Sequence, residues 1–416
     1  MMRSLKTFTD VHEALKRYIP TRPSTEPYTL DTIKKLMEYL GNPQDKLRVI
    51  HVAGTSGKTS TAYYLAALLD AAGYTTGLTI SPHIDEINDR TQINLQPLPE
   101  AEYCAQISEF LDLVDESELK PSHFEVLVAF SYWEFHKKQV DYAVVEVGLG
   151  GLLDGTNVVT RSDKVCVITD IGLDHVDVLG DTVAKIAAQK AGIIQLGNTV
   201  FTNKQSPEII DVFQTVANKK HATLHIIEPR INAELDYLPT FQQRNFALAE
   251  QVIRVMTGKD LTDQQVQKAA HAYIPARMEI ISYKGKTLVM DGAHNEQKIT
   301  ALVEAMKQRF QNQSMTLLVS FGQNKQSSVK ESLEILRQLG TDVIITTFKK
   351  GQDEIRLSMD TNQLAAFAKQ AGFTTVTTEP DQLKALDLLV KSPEKVGLIA
   401  GSFYLLESYR SDILKR

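Results

Sequence analysis

The chain is poor in cysteine: Cys104 and Cys166 are the only two in 416 residues, and they lie far apart in sequence. That excludes a disulfide framework and suggests no cysteine zinc site. Long apolar runs are missing as well. No stretch approaches the length of a membrane span, and the segment from Met1 to Pro20 carries charges throughout, with no apolar core of the signal-peptide kind. A reducing cytoplasm is the expected location. Nor is one sign of charge in large excess. A formal net charge of −6 gives no general reason to expect nucleic acid or an anionic membrane as a partner. Internal repeats and low-complexity segments are also lacking.

What is present is the composition of an ordinary soluble protein, on a chain too long for a typical single core, so two domains are expected. One stretch organises the rest. Leu47-Arg48-Val49-Ile50-His51-Val52-Ala53 is an apolar, β-branched run. Gly54-Thr55-Ser56-Gly57-Lys58-Thr59-Ser60 is a turn rich in glycine and hydroxyls, and the apolar spacing from Thr61 to Leu69 suits a helix. Strand, glycine-rich turn and helix are the setting of a phosphate loop. Gly54 and Gly57 let the backbone turn tightly and present its N–H groups, and the helix N-terminus adds a partial positive charge. Lys58 can bridge terminal phosphates, and the hydroxyl of Thr59 or Ser60 can take a Mg²⁺. The strict pattern has a glycine where Val52 stands, so this is a shortened loop, Gly-x-x-Gly-Lys-Thr. A surface turn capping a helix is the bland alternative; the flanking strand and helix favour phosphate.

Along the chain, residues 9 to 19 read as a helix with Thr9 as N-cap and Pro20 closing it, and Tyr28 to Leu40 as a second, stopped at Gly41. Thr75 to Ile80 is a strand completing a βαβ unit. It leads to Ser81, at a strand C-terminal end where ligands of open α/β sheets collect; a turn residue ahead of Pro82 is the plainer reading. Ser122 and Glu125 have capping-box spacing, which makes His123 part of a helix start, and Trp133 further on a core residue. The strand Asp141 to Val147 carries Glu146 near its end. A glutamate there is expensive to bury unless it is paired or holds a metal, so Glu146 is a candidate metal ligand. The strand Lys164 to Thr169 runs into a loop ending at His175. In the helix Thr182 to Ala191, pattern alone makes Lys190 a solvated lysine. Composition changes near Ile274-Pro275-Ala276-Arg277. Beyond it, strands expected at Thr287–Asp291, Met315–Phe321, Asp342–Thr347, Thr374–Thr377 and Val396–Ala400 alternate with helices, a second α/β unit. The expected domains are 1–274 and 278–416.

Several separated strings carry a resemblance over most of the chain. They are Gly54-Thr55-Ser56-Gly57-Lys58, Ser81-Pro82-His83 with Arg90, Phe124-Glu125, and Glu146-Val147-Gly148-Leu149-Gly150-Gly151 with Leu153-Asp154. Then come Thr156-Asn157, the long Ile168–Leu179 stretch containing Gly172-Leu173-Asp174-His175, Lys190-Ala191-Gly192-Ile193, Pro275 with Arg277, Asp291-Gly292-Ala293-His294-Asn295 and Gly401-Ser402. In this order they resemble the folylpolyglutamate synthase and dihydrofolate synthase family, within the Mur ligase superfamily. The resemblance implies an α/β fold: an N-terminal P-loop ATPase domain with a mainly parallel sheet, and a smaller Rossmann-like C-terminal domain. It implies an ATP-dependent ligase joining L-glutamate to the carboxylate of a reduced folate or of dihydropteroate through an acyl phosphate. By the same resemblance Lys58 and two Mg²⁺ hold the phosphates, Thr59, Ser81, Glu146 and His175 are the metal ligands, and Lys190 is carbamylated. Gly54 to Ser60, Asn245, Arg277, Asp291 and His294 grip ATP, in a cleft between the domains. The expected partners are small molecules only, and the expected state is a monomer.

The chain also departs from the family pattern. Thr59 stands where folate members usually have glycine, Leu152 replaces the usual arginine of the Gly-Gly-Arg-Leu-Asp string, Gln189 the usual glutamate before the special lysine, and Glu296 a proline. No proposed metal ligand is lost. Thr59 is closer to the ligases that build cell-wall nucleotide precursors, which makes such an activity the first rival reading. A weakened paralogue that binds ATP or folate is the second.

Overall fold

The computed structural model describes residues 4–19, 28–228, 233–323, 326–350 and 356–414. The chain forms two compact units, Met1–Ala272 and Tyr273–Arg416. Among the described residues no helix is long and apolar enough to cross a membrane.

Among the described residues the first unit is built on eight strands: Val49–Ala53 (β1), Thr76–Thr79 (β2), Gln92–Ile93 (β3), Gln96–Pro97 (β4), Tyr142–Glu146 (β5), Val165–Ile168 (β6), Thr199–Asn203 (β7) and Thr223–Ile227 (β8). Their order is β4-β3-β2-β5-β1-β6-β7-β8. From β2 to β8 all neighbours run parallel; β3 and β4 close one edge antiparallel. β1 is therefore central, and all five of its residues are buried, as a strand covered on both faces requires. The chain leaves β1 toward β2 and β5 on one side and later crosses to β6 on its other side. That reversal of direction is the topological switch point, where the carboxyl ends of such a sheet leave a crevice. The loop after β1 opens there.

The helix Lys58–Ala71 follows that loop and is buried continuously from Thr59 to Leu69. A helix without a polar face needs cover all round. The sheet supplies one side and the helices Thr240–Thr257 and Asp263–Ala270 the other, with the rings of Tyr64 and Phe246 edge-on at 5.1 Å. The helices Glu100–Glu116 and His123–Lys137 carry an aromatic core in which Trp133 packs on Phe110 and Phe130. Ser122 and Glu125 form the expected capping box. At the N-terminus the cap is Thr7, not Thr9: Thr7 is extended and its hydroxyl accepts from Asp10 N, which places Thr9 inside the helix Phe8–Leu15. Pro20 lies outside the described residues. The second helix spans Asp31–Tyr39, shorter at its start than the apolar spacing suggests.

In the second unit the strands are Glu279–Tyr283 (β9), Lys286–Met290 (β10), Met315–Val319 (β11), Asp342–Ile345 (β12), Lys349–Lys350 (β13), Arg356–Leu357 (β14), Thr375–Thr378 (β15) and Val396–Ala400 (β16). Six of them form a sheet in the order β15-β12-β11-β16-β10-β9, parallel except for β9 at its edge. β13 and β14 pair separately. Ile299, Leu302, Val303 and Met306 of the helix Glu296–Arg309 pack with Leu317, Val319 and Leu398 of the sheet into one core.

Glu134 is fully buried in the helix His123–Lys137. Neither of its carboxylate oxygens has a hydrogen-bond partner among the described residues, and Lys138 Nζ stands 3.8 Å away. Burial raises its pKa above the ordinary glutamate value. The folded state thus favours the protonated form, so this group's contribution to stability falls as pH rises from the ordinary value through the raised one. Glu134→Gln should stabilise the fold by about 1 kcal/mol near pH 8, with the gain fading toward about pH 4. Denaturant melts at both pH values check this; no gain at the higher pH would show that Lys138 already offsets the charge.

Candidate functional site

The loop after β1 is shaped by two close approaches. Gly54 has φ +148°, and a Cβ there would lie 1.8 Å from Thr169 Oγ1. Gly57 has φ +87°, and a Cβ there would lie 2.4 Å from Asn245 Oδ1. Thr169 follows β6 and donates its hydroxyl to Ser56 O at 2.7 Å. Asp170 O accepts the N–H groups of Thr55 and Ser56 at 2.9 and 3.2 Å, and Thr55 Oγ1 donates to Gly172 O at 3.0 Å. The amides of Thr55 and Ser56 therefore hold the loop to its backing. Those of Lys58, Thr59 and Ser60 belong to the first helical turn, where geometry directs N–H groups outward along the axis. Lys58 Nζ donates to Gly54 O at 3.1 Å, lying over the loop.

Thr59 Oγ1 donates to Glu146 Oε1 at 2.9 Å. The bond joins the first turn of the helix to the end of β5, next to β1, and both residues are buried. Ser60 is buried as well. Ser81, beyond β2, has a buried hydroxyl with no hydrogen-bond partner among the described residues. Ser81 and Glu146 line one small crevice together with Arg90, Phe124, Leu127 and Thr156. Arg90 is itself buried and donates through Nε to His83 Nδ1 at 3.0 Å. An unsatisfied hydroxyl, a carboxylate and a second hydroxyl form an all-oxygen donor set, which suits a hard cation such as Mg²⁺.

Lys190 is 4% exposed, which corrects the solvated reading. Its helix, Val183–Ala191, docks on the loop after Glu146. Leu152 N donates to Gln189 O at 2.8 Å, and Asn157 Nδ2 donates to Leu152 O and Gly192 O at 3.1 and 3.0 Å. A Cβ at Gly151 would meet Gln189 O at 2.9 Å, so the loop lies directly on the helix backbone. Periodicity missed this because it sees one face of a helix, not a loop laid across its end. Asp154 stabilises the loop, accepting from Leu149 N at 2.7 Å and Thr156 N at 3.0 Å; burial raises its carboxyl pKa against those bonds. His175 occupies the N-cap position of the short helix Val176–Leu179 without a side-chain cap bond, and its side chain, 42% exposed, lies 3.9 Å from Asp174 Oδ1. Among the described residues no three His, Cys, Asp or Glu side chains converge on a metal position.

In the second unit Arg277 and His294 lie against Phe403. The Arg277 guanidinium lies over the Phe403 ring, 4.2 Å from its centroid. Asp291 accepts from Met278 N and Ala293 N, each at 2.8 Å, and burial raises its pKa although Arg277 opposes the shift. His294 Nδ1 meets the carbonyl Gly292 O at 2.8 Å, so Nδ1 carries the proton. Nε2 then accepts from Lys298 Nζ at 3.2 Å. Thr169 and Asp170 lie in the Ile168–Leu179 stretch that carries the resemblance, where no role was assigned to them; Phe403 left no mark in the sequence pattern.

The described residues form two α/β units, the first with a glycine loop between its central strand and a buried helix, beside a small crevice lined by Ser81 and Glu146. The comparisons narrow the class. Residues 52–256 match the Mur ligase middle domain and residues 276–403 the Mur ligase glutamate ligase domain. The chain is 31% identical over 424 residues to the dihydrofolate synthase/folylpolyglutamate synthase of Bacillus subtilis, covering 93% of this chain and 94% of that one. It is 36% identical over 319 residues to the folylpolyglutamate synthase of Lacticaseibacillus casei, covering 69% and 74%. The Mycobacterium tuberculosis folylpolyglutamate synthase, solved with ADP and AMPPCP, superimposes with a TM-score of 0.84 at 27% identity, covering 98% of each chain. The chain belongs to the folylpolyglutamate synthase and dihydrofolate synthase family of the Mur ligase superfamily.

Gly57→Ala should distort the loop twice over, through its positive φ and through the clash with Asn245. Calorimetric titration should show ADP affinity down by about tenfold or more, with a melting loss of about 1–2 kcal/mol. Unchanged ADP binding would mean that this loop does not carry phosphate.

Proposed function

We propose that this chain uses ATP to join L-glutamate to the carboxylate of a reduced folate or of dihydropteroate, through an acyl phosphate. The observation that supports this best is the Thr59–Glu146 hydrogen bond beside the buried Ser81 hydroxyl. It places oxygen donors between the phosphate loop and a cavity lined by Phe124 and Arg90. Thr59 rather than Ser60 is the loop's metal ligand, because it is Thr59 that faces Glu146.

The chemistry has to bring two anions together. Lys58 answers the β- and γ-phosphates, and Arg90, buried in the cavity wall, answers the folate carboxylate. Mg²⁺ held by Thr59, Ser81 and Glu146, with His175 serving a second ion, would neutralise the phosphate charge that develops in transfer. The carboxylate oxygen attacks the γ-phosphorus and the bond to the β–γ bridging oxygen breaks, giving ADP and an acyl phosphate. The glutamate amine then attacks the acyl carbon. It loses a proton, and phosphate departs with the former carboxylate oxygen. Asn245, Arg277, Asp291 and His294 hold the nucleotide. The buried Lys190 amine would, on carbamylation by CO₂ with release of a proton, supply one more oxygen group near the loop that follows Glu146. The protein works as a cytoplasmic monomer on small molecules, without nucleic acid or membrane.

ADP release should require glutamate together with tetrahydrofolate or dihydropteroate. Release with a cell-wall nucleotide precursor and not with a folate, or no release at all, would overturn this assignment. Lys58→Ala and Glu146→Gln should each lower turnover by about a hundredfold or more while the fold is kept. Lys190→Ala should lose most activity and regain part of it in a short-chain carboxylic acid; a fully active Lys190→Ala would remove the carbamate from the account.

A further inference from the structure

The backing of the phosphate loop carries an ion pair that the mechanism does not use. Asp170, whose carbonyl holds Thr55 N and Ser56 N, offers its carboxylate to Arg244. Arg244 Nε donates to Oδ2 at 2.9 Å and Nη2 to Oδ1 at 2.9 Å, a two-pronged grip. Nη2 also donates to Lys204 O at 2.8 Å, just past β7. The two side chains are only 25% and 27% exposed. Shielding and fork geometry distinguish this pair from the surface salt bridges that contribute little.

Arg244 directly precedes Asn245 on the helix Thr240–Thr257. Side chains one residue apart on a helix point roughly 100° apart, so the two reach different neighbours. Arg244 takes Asp170 behind the loop, while Asn245 Oδ1 lies against Gly57 inside it. The helix opens on Pro239 with no side-chain cap to fix its rotation. Two adjacent residues thus hold this helix turn on either side of the loop.

We propose that Arg244 is a positioning residue for nucleotide binding: by gripping Asp170 it sets the rotation of its helix so that Asn245 meets the phosphate loop. This rests on the reading that Gly54 to Ser60 and Asn245 hold ATP. Arg244 touches neither ATP nor folate; it acts through Asn245. Its loss should raise the KM for ATP and leave the KM for folate unchanged.

The test is a double-mutant cycle on ADP affinity, read by calorimetry on full-length wild type, Arg244→Gln, Asn245→Ala and the double variant. Arg244→Gln is expected to weaken ADP about tenfold, and the double variant to bind no more weakly than Asn245→Ala alone. Arg244→Lys, which keeps the charge but not the fork, should fall between wild type and Arg244→Gln. Should Arg244→Gln fail to fold, Asp170→Asn takes its place in the cycle with the same expectation. Wild-type ADP binding by the variant used would overturn the proposal. So would losses that multiply in the double variant, or a folate KM that rises as much as the ATP KM, since either marks a purely structural role. Wild-type binding by Asn245→Ala would instead defeat the nucleotide reading of Asn245, and the proposal with it.

Discussion

Everything in the first unit depends on how closely the phosphate loop lies against its surroundings, because two side chains occupy the space that a Cβ would need at Gly54 and Gly57. Thr169 presses from the end of β6 and Asn245 from the helix Thr240–Thr257. With no room on either side, the loop has one path from β1 into the helix Lys58–Ala71. That path aims the first-turn amides and Lys58 at a single point. The same tightness explains why the helix is buried all round: it is wedged between sheet and helices, and its first turn borders the loop.

Electrostatics then divides the work. The chain is formally negative overall, yet it has to bring a polyphosphate and a carboxylate together. In the proposed function local cations would do this where net charge cannot. Lys58 and the buried Arg90 stand in the first unit, and Arg277 and Lys298 stand beside Asp291 and His294 in the second. Glu146 and Ser81 would add unwanted negative and dipolar density without a metal. A Mg²⁺ held there, as proposed, would offset that density.

Legibility in the sequence followed local physics. β1, its loop and the following helix were readable because a fully buried parallel strand, positive-φ glycines and a helix start all leave local marks. The capping box at Ser122 was readable for the same reason. The helices Glu100–Glu116 and Thr240–Thr257 were not, since they open on Pro99 and Pro239 with no side-chain cap. Asn245 was therefore reached through resemblance alone. The Asp170–Arg244 pair spans 74 residues of sequence, and no spacing rule reaches that far. Lys190 shows the limit of periodicity most clearly. Its helix pattern says nothing of the glycine loop that packs on its last turn and buries it.

The central claim is that a folate carboxylate becomes an acyl phosphate before the glutamate amine arrives. An isotope measurement tests it most directly. Folate labelled with ¹⁸O in the accepting carboxylate is turned over with ATP, Mg²⁺ and glutamate, and the inorganic phosphate is analysed by mass. One labelled oxygen should appear in phosphate for each amide bond formed from fully labelled carboxylate, because the oxygen that attacks phosphorus leaves with it. Phosphate free of label, or AMP and pyrophosphate in place of ADP and phosphate, would contradict it.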